Sequence, residues 1–255
     1  MSHVPLHRLN QFAALNGAEA DAFNRLAVEE RRYDRHDMIR CQGDPSGEVF
    51  FLLEGWAASC VDSATGSRQI VKVHLRGDVM GAPSLALCRA AESLMALTSA
   101  RVQVIPSSRL GDLFATAPKL AAAMFLSAQQ ERIWLMDRLM SIGRTSAVQR
   151  LAAFLLSLHE RLSALGAPSP ERIELPLSQE EVANVLGITA VHANRTFAQL
   201  DATGLVSRCG RVIILLDVPG LRSFSCVPKR EFQHMPGWLG GLSESNAEAA
   251  DHALP

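Results

Sequence analysis

The chain has 255 residues, of which 48% are hydrophobic and 20% charged, and its formal net charge is −1 at pH 7. This length allows two modest domains with buried cores, and the balanced charge means that any nucleic-acid site must be local. Five scattered cysteines without a CxxC pair argue against a disulfide framework, a zinc site and an iron–sulfur cluster, and they fit a reducing cytosol.

The first residues of the chain do not have the pattern expected of a secretion signal. The stretch MSHVPLHRLNQF contains no apolar core of a signal peptide, and no run of about 18 apolar residues occurs anywhere. We therefore expect a cytoplasmic protein without a membrane span. The remainder of the first 32 residues favours short helices that flank the next segment.

Short apolar runs separated by glycine-containing turns predict β structure between about residues 34 and 106. The four clearest runs are Glu48–Leu53, Trp56–Val61, Gln69–Leu75 and Arg101–Ile105. In the third run, Lys72 and His74 alternate with Val71 and Val73, and this period of two predicts one exposed face and one buried face. Several short strands at this spacing predict a sandwich or a roll.

A long helix with two apolar stripes is predicted from about Pro118 to Ile142. The first stripe, at coiled-coil-like spacing, consists of Leu126, Ile133, Met136 and Met140, and the adjacent stripe of Leu135, Leu139 and Ile142. One stripe can pack on the β domain and the other on a second copy of the helix, or both can be buried within one chain. For a homodimer we expect the first stripe to form the interface, because an isologous contact lets one stripe bury itself.

The last third of the chain has a different pattern. The predicted elements are a helix over Ala147–Leu165, a strand in IELPL, a helix over Gln179–Leu186, a helix from the N-cap Thr189 to about Ala202, and strands over Leu205–Ser207 and Val212–Leu216 joined by residues 208–211. Ser178 and Glu181 form a capping box, and Gly187 turns the chain between the two helices. This order is that of a winged helix-turn-helix. The segment from Gly237 onward is small and polar, which predicts a flexible tail.

The second helix of this pair has a polar face that suits a DNA groove. His192, Arg195 and Gln199 recur at three and four residues opposite the apolar side chains, and Asn194 flanks them. Arginine can donate a bidentate pair to guanine, asparagine can pair with adenine, and histidine can donate to guanine or phosphate.

Further DNA contacts are predicted around this helix. The helix N-terminus at Thr189 favours a phosphate, and Ser178 and Gln179 begin the preceding helix. Arg208 and Arg211 of the predicted wing can reach the DNA backbone.

Other readings of this polar face have less support. A zinc site needs paired histidine or cysteine ligands, and His192 has no second histidine four residues away and no carboxylate close by. No Gly-x-Ser-x-Gly, P-loop or HExxH motif predicts catalysis, so we assign no catalytic residue, no metal ligand and no cofactor. A merely solvated helix face remains the alternative for the helix alone, and the capping box, glycine turn and wing together favour DNA reading.

At these motifs the chain resembles the Crp/Fnr family of bacterial transcription regulators over roughly residues 15 to 220. The motif LSQEEVANVLGITAVHANRTFAQLDATGLV resembles the family's helix-turn-helix, and CQGD, VFFLLEG and the Gly77-Asp78…Gly81 stretch resemble its cyclic-nucleotide-binding β-roll. The resemblance implies a homodimer on a near-palindromic DNA site, with base reading by Val191, His192, Asn194 and Arg195. Val191 stands where the family usually has glutamate, which implies a different half-site.

The sensor half departs from family members that bind cyclic AMP. Their Gly-Glu pair, which holds the ribose, is Gly81-Ala82 here, and the position of their phosphate-binding arginine is occupied by Glu92, followed by Ser93. Arg89 supplies an arginine only with a gap. These five residues are the candidate effector pocket, and we expect an effector other than cyclic AMP. His74, Cys41 and Met80 are haem ligands in principle, but each is more simply explained as structural.

These observations together predict an α+β protein. The expected parts are a jelly-roll-like double-stranded β-helix over residues 1–116, a dimerisation helix over 117–143, a winged helix-turn-helix domain over 144–225 and a flexible tail over 226–255. The expected function is sequence-specific transcription regulation without catalysis. A small-molecule or redox sensor whose DNA binding is secondary, a regulatory module of an enzyme and a protein-interaction module are the alternatives. Double-stranded DNA, a second copy, RNA polymerase and an unidentified effector are the candidate partners.

Overall fold

The computed structural model describes residues 6–234 and 236–239. The β-strands are β1 Glu29–Tyr33, β2 Met38–Arg40, β3 Glu48–Glu54, β4 Ala57–Asp62, β5 Arg68–His74, β6 Val79–Met80, β7 Ser93–Ala96, β8 Ala100–Pro106, β9 Arg172–Glu174, β10 Val206–Cys209 and β11 Val212–Leu215. The α-helices are α1 Gly17–Leu26, α2 Leu110–Thr116, α3 Pro118–Arg144, α4 Ala147–Ala164, α5 Gln179–Leu186, α6 Ala190–Asp201 and α7 Val218–Ser225. Short 3₁₀ helices cover Leu6–Gln11, Ala82–Ala86, Ser107–Arg109 and Gly237–Leu239.

Eight of the strands form the predicted β-roll from two antiparallel sheets. One sheet has the order β1-β8-β3-β6 and the other the order β2-β7-β4-β5. Phe50, Leu52 and Val102 of the first sheet meet Leu94 and Ala96 of the second in a core closed to solvent. Burial of apolar side chains between the two sheets holds the roll together.

The prediction of helices throughout the first 32 residues is wrong for residues 29–32, which belong to strand β1, Glu29–Tyr33. Its sequence EERRY has no alternation of apolar and polar residues, and it pairs with β8 along one edge of its sheet, with Glu29 opposite Val104 and Tyr33 opposite Ala100. An edge strand needs backbone pairing more than side-chain burial, so its sequence carries little of the usual strand pattern.

The prediction that β5 alternates between an exposed and a buried face is also wrong. The pairing with β4 is interrupted between Ser59 and Cys60, so that Lys72 faces Ser59 while Ile70 faces Cys60. This β-bulge leaves Val71 as the extra residue and breaks the period of two. His74, which the alternation placed towards solvent, is only 2% exposed.

The two sheets bury their outer faces against different partners. Phe51 and Leu53 of the first sheet pack with α1, α2 and the start of α3, including Phe23 and Leu120. The outer face of the second sheet belongs to the same apolar cluster as α4, α5 and α6, whose members include Ile70, Val73, Leu155, Val182 and Phe197. The β-roll therefore shares a core with the C-terminal domain.

The rest of the chain covers most of the stripe of α3 that the sequence predicts as the dimer interface, and it leaves the adjacent stripe exposed. Leu126, Ile133 and Met140 of the first stripe are half-buried, and Leu126 packs against the core beneath the N-terminal helices. Met136 alone of that stripe is exposed. The side chains that remain exposed at intervals of three and four residues are Phe125, Ala128, Arg132, Leu135, Leu139 and Ile142. The helical periodicity of the sequence does not predict which of two neighbouring stripes is covered by the rest of the chain.

The C-terminal domain has the predicted order of elements with two differences. Strand β10 continues to Cys209, which pairs with Val212, so the wing turns through two residues and not four. Strand β9 adds a third strand beside β11, and α7 follows the wing.

The segment after α7 returns along the molecule. Arg230 donates to both carboxylate oxygens of Asp137 on α3, at 3.1 and 2.5 Å, and a ring nitrogen of His234 lies 2.8 Å from the carbonyl oxygen of Gln11. The first part of the predicted flexible tail therefore contacts α3 and the first 3₁₀ helix, whereas residues 240–255 lie outside the described residues. None of the described helices has the length and apolar composition needed to cross a membrane.

Candidate nucleic-acid interface

Local sequence determines the start and end of α5. The Ser178 hydroxyl accepts a hydrogen bond from the Glu181 backbone N–H at 3.1 Å, and the Glu181 carboxylate accepts from the Ser178 N–H at 2.5 Å. This predicted capping box is confirmed. At the other end Gly187 adopts φ = 68°, a left-handed conformation that lets the chain turn sharply into α6.

Helix α6 is anchored on one side and capped at its start. The Thr189 hydroxyl accepts from the His192 N–H at 3.3 Å, as the N-cap prediction requires. Ala193, Phe197 and Leu200 are at most 4% exposed and attach the back of the helix to the core. Thr189, Ala190 and Val191 are exposed, so the start of α6 lies at the surface, where an anion can approach its N–H groups.

The opposite side of α6 presents the predicted reading residues to solvent. His192, Asn194, Arg195 and Gln199 are all exposed, and Val191 is 76% exposed. Among the residues described by the structure, the Asn194 amide and the Arg195 guanidinium have no hydrogen-bond or ion-pair partner. Their donors remain available to an external ligand.

The wing arginines occupy different environments. The Arg208 guanidinium lies 4.0 Å from the centre of the Phe197 ring, and its Nε donates to the Gly210 carbonyl at 3.1 Å. These contacts tie the wing to α6, so Arg208 has a structural role besides any contact with DNA. Arg211 lies exposed in the turn itself. At the start of α5, Gln179 is exposed and Ser178 is half-buried with its hydroxyl used in the cap.

Side chains from three other elements bind the end of α5. Its last carbonyls, which lack partners within the helix, accept hydrogen bonds from Gln69 on β5, Arg138 on α3 and Arg150 on α4. Burial lowers the pKa of Arg138 to about 10. Sequence reasoning missed these three residues, because nothing in the local pattern shows what meets a helix end.

The start of α5 is held to the roll as well. The buried Glu181 carboxylate lies 3.3 Å from Arg35 and 3.2 Å from His36, in addition to its place in the capping box. Both ends of α5 are thus attached to other parts of the chain, while α6 keeps its polar face free.

The candidate effector pocket contains a buried ion pair. Glu92 is 4% exposed and accepts from Arg40 at 2.9 Å and from the Ser84 hydroxyl at 3.1 Å. Gly81 has φ = 81°, and a Cβ there would lie 3.0 Å from the Arg40 guanidinium. Arg40 therefore occupies the space beside Gly81 and neutralises Glu92, a partner that sequence reasoning missed.

The remaining residues of this candidate pocket do not converge on a ligand. Arg89 is exposed and donates to the Gly43 carbonyl at 2.9 Å, and the Ser93 hydroxyl accepts from the Gln42 N–H at 2.9 Å. Ala82 begins a 3₁₀ helix. Within residues 6–234 and 236–239, no three histidine, cysteine or acidic side chains are grouped as ligands for a metal ion.

Comparison with known proteins matches both domains. A family model of the Crp-like helix-turn-helix domain matches residues 149–224, and a model of the cyclic nucleotide-binding domain matches residues 30–117. The transcriptional regulatory protein btr of Bordetella pertussis is 29% identical over 204 residues, which cover 80% of this chain and 84% of btr. The transcriptional activator protein anr of Pseudomonas aeruginosa is 26% identical over 204 residues, covering 80% and 83%.

Solved structures show the same architecture. The structure of FixK2 from Bradyrhizobium japonicum is 25% identical and superposes with a TM-score of 0.71, covering 80% of this chain and 100% of FixK2. The two matched segments coincide with the β-roll and with the domain that carries α5, α6 and the wing. The chain therefore belongs to the Crp/Fnr family and is a transcription regulator with a helix-turn-helix DNA-binding domain and a cyclic-nucleotide-binding-like sensor domain.

Proposed function

We propose that this regulator acts as a homodimer and reads a near-palindromic operator through the exposed side of α6. The observation that carries the proposal is the state of Asn194 and Arg195, which are exposed and unpartnered on a helix whose back is packed. The donors of these two side chains meet no acceptor within the described protein. They are therefore available to a partner that supplies acceptors.

The roles of the reading residues follow from their donors and shapes. Arg195 is proposed to pair with a guanine and Asn194 with an adenine, while His192 donates to a neighbouring base or phosphate. Val191 has no polar atom in its side chain, and we assign it to a thymine methyl. Gln199 lies one turn further along the same face.

Phosphate contacts are proposed to set the position of the domain on DNA. The N-terminus of α6 at Thr189, the N-terminus of α5 at Ser178 and Gln179, and the exposed Arg211 can all face the DNA backbone. Arg208 is proposed to hold the wing in position, because its guanidinium is already engaged with Phe197 and Gly210.

The dimer is proposed to form along the exposed stripe of α3. Phe125, Ala128, Arg132, Leu135, Leu139 and Ile142 follow one another at spacings of three, four, three, four and three residues, which is the repeat of a two-stranded coiled coil. Met136 flanks this stripe, and Leu139 is 73% exposed in the single chain. A second copy removes these apolar side chains from water, and Arg132 in the seam helps to define the register.

We further propose a cytoplasmic regulator without catalytic activity, whose effector is not cyclic AMP and which can also contact RNA polymerase. The argument against cyclic AMP is the Arg40–Glu92 pair, which fills the region beside Gly81 with an internal salt bridge. The missing carboxylate at Ala82 removes a ribose contact as well.

Selection of bound sequences from random DNA tests the proposal. The purified protein is expected to enrich two inverted half-sites about one helical turn apart, centre to centre. Sedimentation of Leu139→Asp, with the exposed Phe114→Asp outside the stripe as control, tests the dimer. A monomeric Leu139→Asp protein with a dimeric control supports the interface along α3, and an unchanged dimer contradicts it. Enrichment of a single unrepeated site contradicts the near-palindromic operator.

A further inference from the structure

Five charged side chains from five different elements of the chain meet beneath the β-roll. They are Arg8 from the first 3₁₀ helix, Lys72 from β5, Asp78 from the turn before β6, Glu131 from α3 and Arg161 from α4. We call this group the charge cluster. Its three cationic side chains are between 7% and 15% exposed, and that of Asp78 is 2% exposed.

The contacts within the charge cluster use each carboxylate several times. Asp78 accepts from Arg8 and, at 2.6 Å, from Arg161, and it lies 3.6 Å from Lys72. Glu131 accepts from Arg8 at 3.0 Å and from Lys72. The cations hold the pKa values of both carboxyl groups below their usual range against the effect of burial. Three cations thus share two carboxylates.

The neighbouring histidine does not change this balance. The His74 Nε2 lies 2.7 Å from the Ser59 hydroxyl, and burial lowers the pKa of His74 to about 4, so the ring is neutral at pH 7. Among the buried atoms described by the structure, the Arg8 Nε has no hydrogen-bond partner. The cluster therefore holds one positive charge more than its carboxylates neutralise, and it has a donor to spare.

A cavity opens beside the charge cluster. Its volume is about 670 Å³, which lies in the range of small-molecule sites, and all five cluster residues line it. The other walls are largely apolar and include Trp134, Phe154 and Val71. An excess buried charge is costly unless a counter-charge joins it, and apolar walls disfavour a small, strongly hydrated ion.

We propose that this cavity binds an organic monoanion whose carboxylate meets Arg8, Lys72 and Arg161 and whose apolar body contacts Trp134 and Phe154. The inference rests on the proposed sensor role of the β-roll and names the chemical class of its effector. The cavity extends to Gly81 and Glu92. It differs from a cyclic-nucleotide site there, because Arg40 pairs with Glu92 beside Gly81 and Ala82 supplies no carboxylate for a ribose.

The test compares acids with their neutral amides on the full-length protein. Benzoate and octanoate, each against benzamide and octanamide, are titrated by calorimetry at constant ionic strength, with inorganic phosphate as a separate arm. We expect at least one carboxylate to bind at least about tenfold more tightly than its amide, and phosphate to bind more weakly. If neither acid exceeds its amide, or if phosphate binds as tightly as the better acid, the proposal is overturned.

Two variants change the charge of the cluster in opposite directions. Lys72→Met removes the excess charge and should weaken carboxylate binding about tenfold or more. Glu131→Gln keeps an acceptor for Arg8 and Lys72, increases the excess and should tighten binding severalfold. Lys229→Gln, which removes an exposed cation at the rim of the same cavity, is the control and should bind as wild type.

The variants also separate an electrostatic site from a structural effect. General damage to the fold weakens binding in both cluster variants, and this result, or equal binding by all proteins, contradicts the proposal. Operator binding without added anion is measured on the same samples. Operator binding that is retained without any carboxylate binding overturns only the anion site, whereas a wild-type protein that binds no operator, either alone or with added carboxylate, overturns the proposed function.

Discussion

Arginines in two regions of this protein face opposite conditions. On α6, Arg195 is exposed and has no partner among the described residues, and it lies next to the equally free Asn194. In the β-roll, Arg40 is 6% exposed and its guanidinium donates to Glu92, Ser84 and the Glu48 carbonyl. The same side chain therefore serves as a free donor in one domain and as a structural partner in the other.

The difference follows from the cost of removing charge from water. An exposed guanidinium stays hydrated until DNA replaces the water, so it has little effect on the free energy of unfolding. A buried guanidinium must find partners within the chain, and so must any carboxylate left beside it. Charges on α6 should accordingly affect binding and leave stability unchanged, whereas charges in the roll should affect stability first.

The largest expected effect is on operator binding. Arg195→Ala should cost about 1–3 kcal/mol per half-site, because a bidentate contact to guanine is lost, and should relax the preference at that base pair. Competition of operator variants by fluorescence anisotropy at fixed salt measures both effects. Arg32→Ala, which removes an exposed arginine from the outer strand of the roll, is the control. A folded Arg195→Ala protein with wild-type affinity and preference would show that α6 does not read bases.

The next largest effect is on stability. Arg40→Leu leaves the Glu92 carboxylate buried without its cation and should lower the free energy of unfolding by about 3–5 kcal/mol. The double variant Arg40→Leu/Glu92→Leu should recover most of that loss, because no buried charge remains. Denaturant unfolding measures both variants. Equal destabilisation by the single and double variants would mean that packing, and not charge, determines the cost.

A third prediction concerns pH. The folded-state pKa of His74, about 4, lies below the ordinary 6.5, so the unfolded chain binds more protons between these values. Stability should therefore be fully present above pH 6.5 and fall as the pH drops towards 4, by about 2–4 kcal/mol from this group.

His74→Gln is the matched variant for this pH effect. It can keep a hydrogen bond to Ser59 and removes the titration. Asp78, which lies 3.5 Å from the Nδ1 of His74, keeps its ion pairs with Arg8 and Arg161 in the variant. The free energy of unfolding, measured from pH 7 to pH 4 in both proteins, should fall less steeply in the variant. Parallel curves would exclude His74 as the source of the pH dependence.

The smallest effect is expected at the wing. Arg211→Ala removes an exposed cation that can meet phosphate but no base, so it should weaken binding to all sequences about equally. The negative slope of log affinity against log salt should become shallower by about one for each half-site, and therefore by about two for the dimer. Anisotropy titrations at several salt concentrations, with the operator and a scrambled duplex, measure it. A loss confined to the operator would instead make Arg211 a base-reading residue.

The helix-turn-helix was predictable because its signals are local. Ser178 and Glu181 are three residues apart and form the capping box, and Gly187 ends α5 where the pattern predicts the turn. The exposed and packed sides of α6 follow from the period of the helix, so the positions of Asn194 and Phe197 needed no distant contact. Over these residues, sequence alone determined the elements, their ends and the free polar face.

Only the tertiary structure decided which charges meet and which stripe stays exposed. Arg40 and Glu92 are far apart in the chain, and the charge cluster joins the first 3₁₀ helix to β5, α3 and α4. The bulge opposite Ser59 turns His74 inward, and the packing of Leu126 leaves Leu139 on the outside of α3. These outcomes depend on contacts between distant segments. A periodic pattern within one segment predicts that the segment has an apolar face, but it does not predict which other part of the chain packs against that face.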